Sequence, residues 1–129
     1  MASSMRAIKF RAQDIGGNEW LYGDLRHHKN DVAIFEQGGN KGKQVKPETI
    51  GQFTSLRDKN GKEIYEGDIL GIDGEESLLE VRFVRGVFAF LWNGDLDDEF
   101  PTGSPTHEWA KVVGNIHDNP EMIKRRGAV

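Results

Sequence analysis

Only a few side chains in this chain have the types and spacing for chemistry. His27 and His28 are adjacent. Neighbouring residues of an extended segment point to opposite faces, so the pair is a poor chelate, and His107 and His117 stand alone. Asp95, Asp97, Asp98 and Glu99 offer carboxylates at alternating spacing, the kind of set that holds a hard cation such as calcium. The glycine and terminal glutamate of an EF-hand loop do not fall in register, and the run reads as a solvated acidic loop. Asp73, Glu75 and Glu76 read the same way. Gly38-Gly39-Asn40-Lys41-Gly42-Lys43 lacks the strand-to-helix setting and the Gly-Lys-Ser/Thr ending of a phosphate loop. None of Ser3, Ser4, Ser55, Ser77 and Ser104 sits in a nucleophile elbow. No catalytic residue, metal ligand or cofactor site is therefore assigned, and the expectation is a protein that is not an enzyme.

Binding is the remaining class. Arg57, Lys59 and Lys62 cluster in one short segment and could touch phosphates. Asp58 and Glu63 are interleaved with them, so a solvated hairpin tip is the plainer reading. Lys124-Arg125-Arg126 is a denser basic run at the end of the chain. Trp20, Trp92 and Trp109 each fall in an expected strand. Aromatics there fill a core more often than they stack on bases.

Composition narrows the classes further. The 129 residues carry a net charge of -4, which weighs against a strongly electropositive surface and so against non-specific nucleic-acid binding. With no cysteine, disulfides and thiolate metal sites are excluded, and a reducing cytoplasm is the natural home. No window approaches the roughly 18 apolar residues of a membrane helix. Met1-Ala2-Ser3-Ser4 is polar, and Met5 reads as the native start. Sixteen glycines and no long helix-period stretch predict many turns and short strands.

The elements that must position these groups are β-strands. Ile8 to Ala12, Glu19 to Tyr22 and Val32 to Phe35 have strand periodicity, with Gly23-Asp24 closing the second. Residues 37–43 read as a mobile loop, and Lys46-Pro47-Glu48-Thr49 as one helical turn or an extended connection. Asn60-Gly61 is a strong hairpin signal and predicts a type I′ turn between Gln52–Arg57 and Glu63–Tyr65, with Asp58, Lys59, Lys62 and Glu63 keeping the tip in water. Gly67-Asp68 turns into a strand at Ile69-Leu70. Residues 78–84 and 87–92 are two strong strands joined at Arg85-Gly86. The second is apolar on both faces and belongs inside a sheet. Residues 95–107 form a long loop, and 109–116 a last strand. Asn119 is the expected N-cap of a short helix with Pro120 at its first position. Two patterns repeat in the same order: Tyr22-Gly23-Asp24-Leu25 with Glu66-Gly67-Asp68-Ile69, and Thr49-Ile50-Gly51-Gln52-Phe53 with Val112-Val113-Gly114-Asn115-Ile116. Two related β units are a hypothesis that strand order can test.

Three stretches carry a family resemblance: Met5-Arg6-Ala7-Ile8-Lys9-Phe10-Arg11-Ala12, the long segment from Ile50 to Leu70, and Val112-Val113-Gly114-Asn115-Ile116-His117-Asp118-Asn119-Pro120-Glu121. They resemble the opening, centre and close of YopX-like proteins of phages and prophages. Gln13 departs from that pattern, and the loops at 26–45 and 71–108 look variable. The resemblance implies a mainly β protein with a small barrel-like C-terminal part, able to oligomerise. It carries over no catalytic residue.

The expected architecture is thus mainly β. An N-terminal β lobe covers residues 5–63, and a small SH3-like barrel with a short C-terminal helical turn covers 64–123. The hairpin at 50–69 is shared between them, and Asn60, Gly61, Gly67, Asp68 and Gly114 serve as structural turns or bends. The expected function is a cytoplasmic phage or prophage accessory protein acting by protein–protein contact or as a homo-oligomer. A small nucleic-acid-binding barrel is the alternative, with Arg57, Lys59 and Lys62 as its contacts.

Overall fold

The computed structural model describes residues 7–100 and 106–123. Residues 1–4, Ser104 and the basic run Lys124–Arg126 lie outside them, as does the side chain of His107. The chain divides into two compact units, Met1–Ser55 and Leu56–Val129. Both are built from antiparallel strands. Among the described residues no helix is long and apolar enough to cross a membrane.

The N-terminal unit is a meander. Strand β1 (Phe10–Gln13) pairs with β2 (Trp20–His28), β2 with β3 (Asp31–Phe35), and β3 with β4 (Gly42–Gln44). A 3-10 turn at Pro47–Thr49 follows, and β5 (Gly51–Arg57) then returns to pair with β1, Phe10 facing Gln52. β4 also meets the end of β1. Asp14 bridges Val45, Ile15 N–H donates to the Gln44 carbonyl at 3.0 Å, and Lys46 N–H to that of Gln13 at 2.9 Å. The meander therefore closes on itself around Ala12, Val32, Ile34 and Val45, with Phe10, Leu21, Leu25 and Ile50 packed against them. Thr49 ties the 3-10 turn to the wall: its buried hydroxyl donates to the Lys46 carbonyl and accepts from Gln13 N–H.

Two features here differ from the sequence reading. Gly23-Asp24 does not end the second strand. β2 runs on to His28, and Gly23 is where it changes neighbours, residues 20–23 pairing with β1 and 24–28 with β3. A Cβ at Gly23 would lie 2.0 Å from the Phe35 carbonyl oxygen, so only glycine lets the strands cross this closely. The segment read as a mobile loop also supplies a strand, because Gly42–Gln44 finds backbone partners in β3.

The C-terminal unit begins with the end of β5. After it come β6 (Glu63–Tyr65), β7 (Asp68–Ile72), β8 (Leu79–Val84), β9 (Val87–Trp92) and β10 (Glu99–Phe100). A single helical turn, α1 (Thr106–Trp109), precedes β11 (Ala110–Asn115). The sheet order is β10-β9-β8-β7-β11, again a four-strand meander whose first strand pairs on its other side with a fifth strand entered from a short helical turn. The other sheet has six strands in the order β4-β3-β2-β1-β5-β6. Up to β5 the two orders match, β6 being the extra strand of the first sheet, and the Gly51 and Gly114 echoes fall in β5 and β11. The Gly-Asp echoes are not equivalent, since Gly23 lies within β2 while Gly67 is in the turn before β7. The C-terminal order is compatible with the SH3-like barrel expected there.

The C-terminal core is Ile64, Leu70, Leu79, Val81, Phe90 and Ala110, with Ile72, Trp92, Phe100 and Val112 against it. β9 lies inside the sheet, as its apolar sequence predicts, with β10 paired to Leu91 and Phe90. Its other end, Val87 and Phe88, projects beyond the core. Turns follow local chemistry. Arg85-Gly86 and Asn93-Gly94 have positive φ at both residues (50° and 81°, 53° and 72°), as type I′ turns require. At the far end, Asn119 precedes the 3-10 turn Pro120–Met122 but makes no cap bond. Its Oδ1 instead accepts from Asn115 N–H at 3.3 Å.

Candidate interaction surfaces

The hairpin at residues 56–69 is organised by one buried carboxylate. Asp58 is only 3% exposed. Its Oδ1 accepts the N–H groups of Asn60 and Lys62, both at 2.9 Å, and its Oδ2 accepts Val112 N–H at 2.8 Å. Lys59 N–H adds a backbone bond to the Ala110 carbonyl. The tip is thus fastened to β11 and is not simply a solvated charge cluster, a correction to the sequence reading. The turn type changes with it. Gly61 N–H donates to the Asp58 carbonyl and Asp58 N–H to the Lys62 carbonyl. Gly61 has φ 82°, while Asn60 does not have positive φ. This is a type I turn followed by a left-handed glycine, the three-residue hairpin form, and not type I′. The Asp58 carboxylate selects it by capturing the amides of the loop. Burial pushes the Asp58 carboxyl up, but the amides of Val112, Lys62 and Asn60, with the Lys62 charge, outweigh burial and hold it below the usual value.

Two of the three cations of this hairpin are paired with carboxylates. Arg57 donates to the Gly61 carbonyl at 3.2 Å and lies 3.5 Å from Glu63. Lys59 Nζ donates to Asp73 at 2.6 Å, and that bond and charge hold the Asp73 carboxyl below its ordinary range. Lys62 is exposed at the tip. The neighbouring turn is equally structural. Gly67 has φ 94°, and the buried Asp68 carboxylate accepts Tyr65 N–H at 2.7 Å. Gly114 lies at the register shift between β11 and β7, where a Cβ would fall 2.7 Å from Asn119 Oδ1.

His27 and His28 are exposed at the end of β2, and His117 N–H is bound by Asn115 Oδ1 at 3.0 Å. Among the described residues no three His, Cys, Asp or Glu side chains are grouped to hold a metal. The acidic 95–99 run is a turn stabilised from within: Asp97 N–H donates to Asp95 Oδ1, and Asp98 N–H to the Asp95 carbonyl. Of the tryptophans, Trp20 stacks under Arg11, whose guanidinium lies 4.7 Å from the ring. Trp92, Phe100 and Trp109 run edge to face, at 5.8 and 6.4 Å, from the core to a Trp109 that ends α1 and is 43% exposed. Trp109 therefore precedes the last strand and does not belong to it.

A surface not singled out from sequence is the tip of the β8–β9 hairpin. Phe83 and Val87 are 52% and 51% exposed. Phe83 faces Phe88 across the hairpin with ring centroids 5.1 Å apart, and Val84 faces Val87. Arg85 reaches Glu99 at 3.4 Å beside it. Its sequence signal was the unbroken apolar run Val87–Trp92, read entirely as interior. The two units also differ in charge. Residues 1–55 hold eight Lys and Arg against six Asp and Glu, net +2, and residues 56–129 hold nine against fifteen, net -6, together the chain's -4.

The model of the YopX protein family matches residues 9–124. The chain belongs to the YopX family. Its fold is similar to that of protein EF1440 from Enterococcus faecalis, whose crystal structure is 28% identical in sequence, with a TM-score of 0.60 over 93% of this chain and the whole of that one. No curated protein matches this YopX-family chain.

Proposed function

We propose that this YopX-family protein is a non-enzymatic accessory protein of phage or prophage origin that works in the cytoplasm by protein–protein contact, with the β8–β9 hairpin tip as the contacting surface. The observation that carries the reading is the half-exposed Phe83 and Val87 beside Phe88 on a hairpin set by a two-residue turn. Clustered apolar side chains that stay in water mark contact surfaces. Aromatic groups held rigid contribute most to such contacts, because little conformational freedom is lost on binding. The lineage is supported by the family resemblance, and the compartment by the absence of cysteine. Both units are read as SH3-like small barrels, on the support of the four-strand meander, the short helical turn and the return of the fifth strand to the first. The nucleic-acid alternative draws less support. Its proposed contacts lie in the unit with net charge -6, and Arg57 and Lys59 are engaged by Glu63 and Asp73.

The test is recovery from the native cell of the wild-type chain and a Phe83→Ser, Val87→Ser variant that keeps the wild-type far-UV spectrum. A stoichiometric protein partner retained by the wild type and lost from the variant is expected. The same partners on both chains would overturn the reading.

A further inference from the structure

Val32 and Ile34 turn into the core of the N-terminal unit, so Asp31, Ala33 and Phe35 of β3 line the opposite face of the sheet. The register sets Arg26 and Gln44 on either side of Ala33, and His28 opposite Asp31. These longer side chains surround a depression of about 320 Å³ with the short Ala33 side chain as its floor. That volume is near the lower end of the roughly 300–1,000 Å³ of ligand sites, room for one ring system and its substituents.

Arg26 is the organised wall of this depression. Its guanidinium lies over the Phe35 ring, 4.1 Å from the centroid, and Nη2 donates to the Gly39 carbonyl at 2.9 Å. The ring fits there because Gly42 faces it without a side chain; a Cβ would fall 2.5 Å from Phe35 Cδ1. Ring and carbonyl together fix the plane of the guanidinium. Phe35 is half-buried and Arg26 exposed, so the flat surface offered to a ligand is the guanidinium and not the ring. Across Ala33, Gln44 Nε2 donates to Asp31 Oδ1 at 3.1 Å, which orients both heads and leaves Asp31 Oδ2 and Gln44 Oε1 as acceptors. A bare anion would meet the Asp31 charge. A sugar would need an apolar plate, which Arg26 covers. A planar heteroaromatic ring with N–H donors on one edge satisfies both walls.

We infer that this depression binds the base of a nucleotide, the ring stacked on the outer plane of Arg26 above Ala33 and its amino edge donating to Asp31 and Gln44. Bases stack on guanidinium planes as they do on aromatic rings. Guanine, adenine and cytosine carry the exocyclic amine that the two acceptors ask for, and uracil does not. The net charge of +2 on this unit suits the attached phosphate. The same chemistry is offered by a free mononucleotide and by one unit of a single strand. The site uses neither the β8–β9 tip nor Arg57, Lys59 and Lys62, so it stands or falls apart from the proposed protein contact.

The test is amide NMR of the full chain titrated with nucleoside monophosphates, with ribose 5-phosphate as the control that lacks a base, and with a single-stranded decanucleotide. Shift changes at Arg26, Ala33 and Gln44 are expected with the guanosine, adenosine and cytidine monophosphates, weaker ones with uridine monophosphate, and none with ribose 5-phosphate. Arg26→Lys keeps the charge and removes the plane, and Ala33→Leu fills the floor. Each is expected to weaken binding about tenfold or more, with the rest of the spectrum verifying the fold. An oligonucleotide affinity at least tenfold above that of the monophosphates, and lowered in both variants, sustains the inference with a single strand as the ligand. Equal affinities sustain it with a free nucleotide. Ribose 5-phosphate bound as tightly as the nucleotides, an Arg26→Lys chain that binds like wild type, or no shift with any probe would overturn it.

Discussion

Removing the Asp58 carboxylate is the most informative perturbation of the fold. Asp58→Ala deletes the acceptor for Asn60, Lys62 and Val112 N–H groups. Hydrogen bonds to a charged group contribute about 1.5–3 kcal/mol each. Asn60 and Lys62 sit at an exposed tip, where water replaces much of the loss, whereas Val112 is half-buried in β11. Relief of the buried charge offsets a further part, leaving an expected loss of about 2–4 kcal/mol. Asp58→Asn keeps one oxygen for the tip amides but turns an NH2 toward Val112 N–H, and should lose about 1–3 kcal/mol. Urea unfolding followed by tryptophan fluorescence measures both, since Trp92 and Trp109 lie in the same unit. The effect should also depend on pH. The folded carboxyl titrates below the ordinary value of 3.8, so in acid the unfolded chain binds the proton first. Stability from this group is complete above that value and fades as pH falls through the lower folded one. The gap between wild type and Asp58→Asn should therefore narrow below about pH 4. Variants within about 0.5 kcal/mol of wild type at pH 7, or a gap that widens in acid, would refute the clamp.

Other substitutions probe separate points. Gly23→Ala places a Cβ 2.0 Å from the Phe35 carbonyl oxygen, and should destabilise the N-terminal unit by roughly 3 kcal/mol or more, read as faster limited proteolysis within residues 7–55. Gly114→Ala meets the side chain of Asn119, which can move but then gives up Asn115 N–H. A smaller loss of about 1–2 kcal/mol is expected in the same urea assay. Lys59→Met should raise the Asp73 titration, followed by carboxyl NMR, toward the ordinary carboxylate range, because Lys59 supplies the bond and the larger of the two charge effects that lower it, Lys111 supplying the other.

The sequence made the β architecture legible because strands here are short, alternating and separated by glycine-containing turns. Arg85-Gly86 turns as its residues dictate, and Pro47–Thr49 forms its single turn. Local signals failed where a distant partner intervened. Asn60-Gly61 alone favours type I′, but Asp58 two positions earlier takes up the loop amides and β11 supplies the reason to bury it. An aspartate three residues before a glycine is itself a type I signal, and reading that spacing would have recovered the turn. Gly23 looked like punctuation because glycine ends more strands than it kinks, and closure of the N-terminal meander depends on pairings some thirty residues apart, such as Asp14 with Val45. The contact surface was hidden for the opposite reason. Val87 and Phe88 have the composition of a core strand, yet they lie at the tip end of the β8–β9 hairpin, where Val87 is half exposed.

The central claim, contact through the β8–β9 tip, is met most directly by photo-crosslinking in the native cell. A photoreactive phenylalanine replaces Phe83 in one strain and Asn60, on the other hairpin, in a second. A discrete crosslinked protein adduct from position 83 and none from position 60 is the predicted result. No adduct at 83, or the same adducts from both positions, would contradict it.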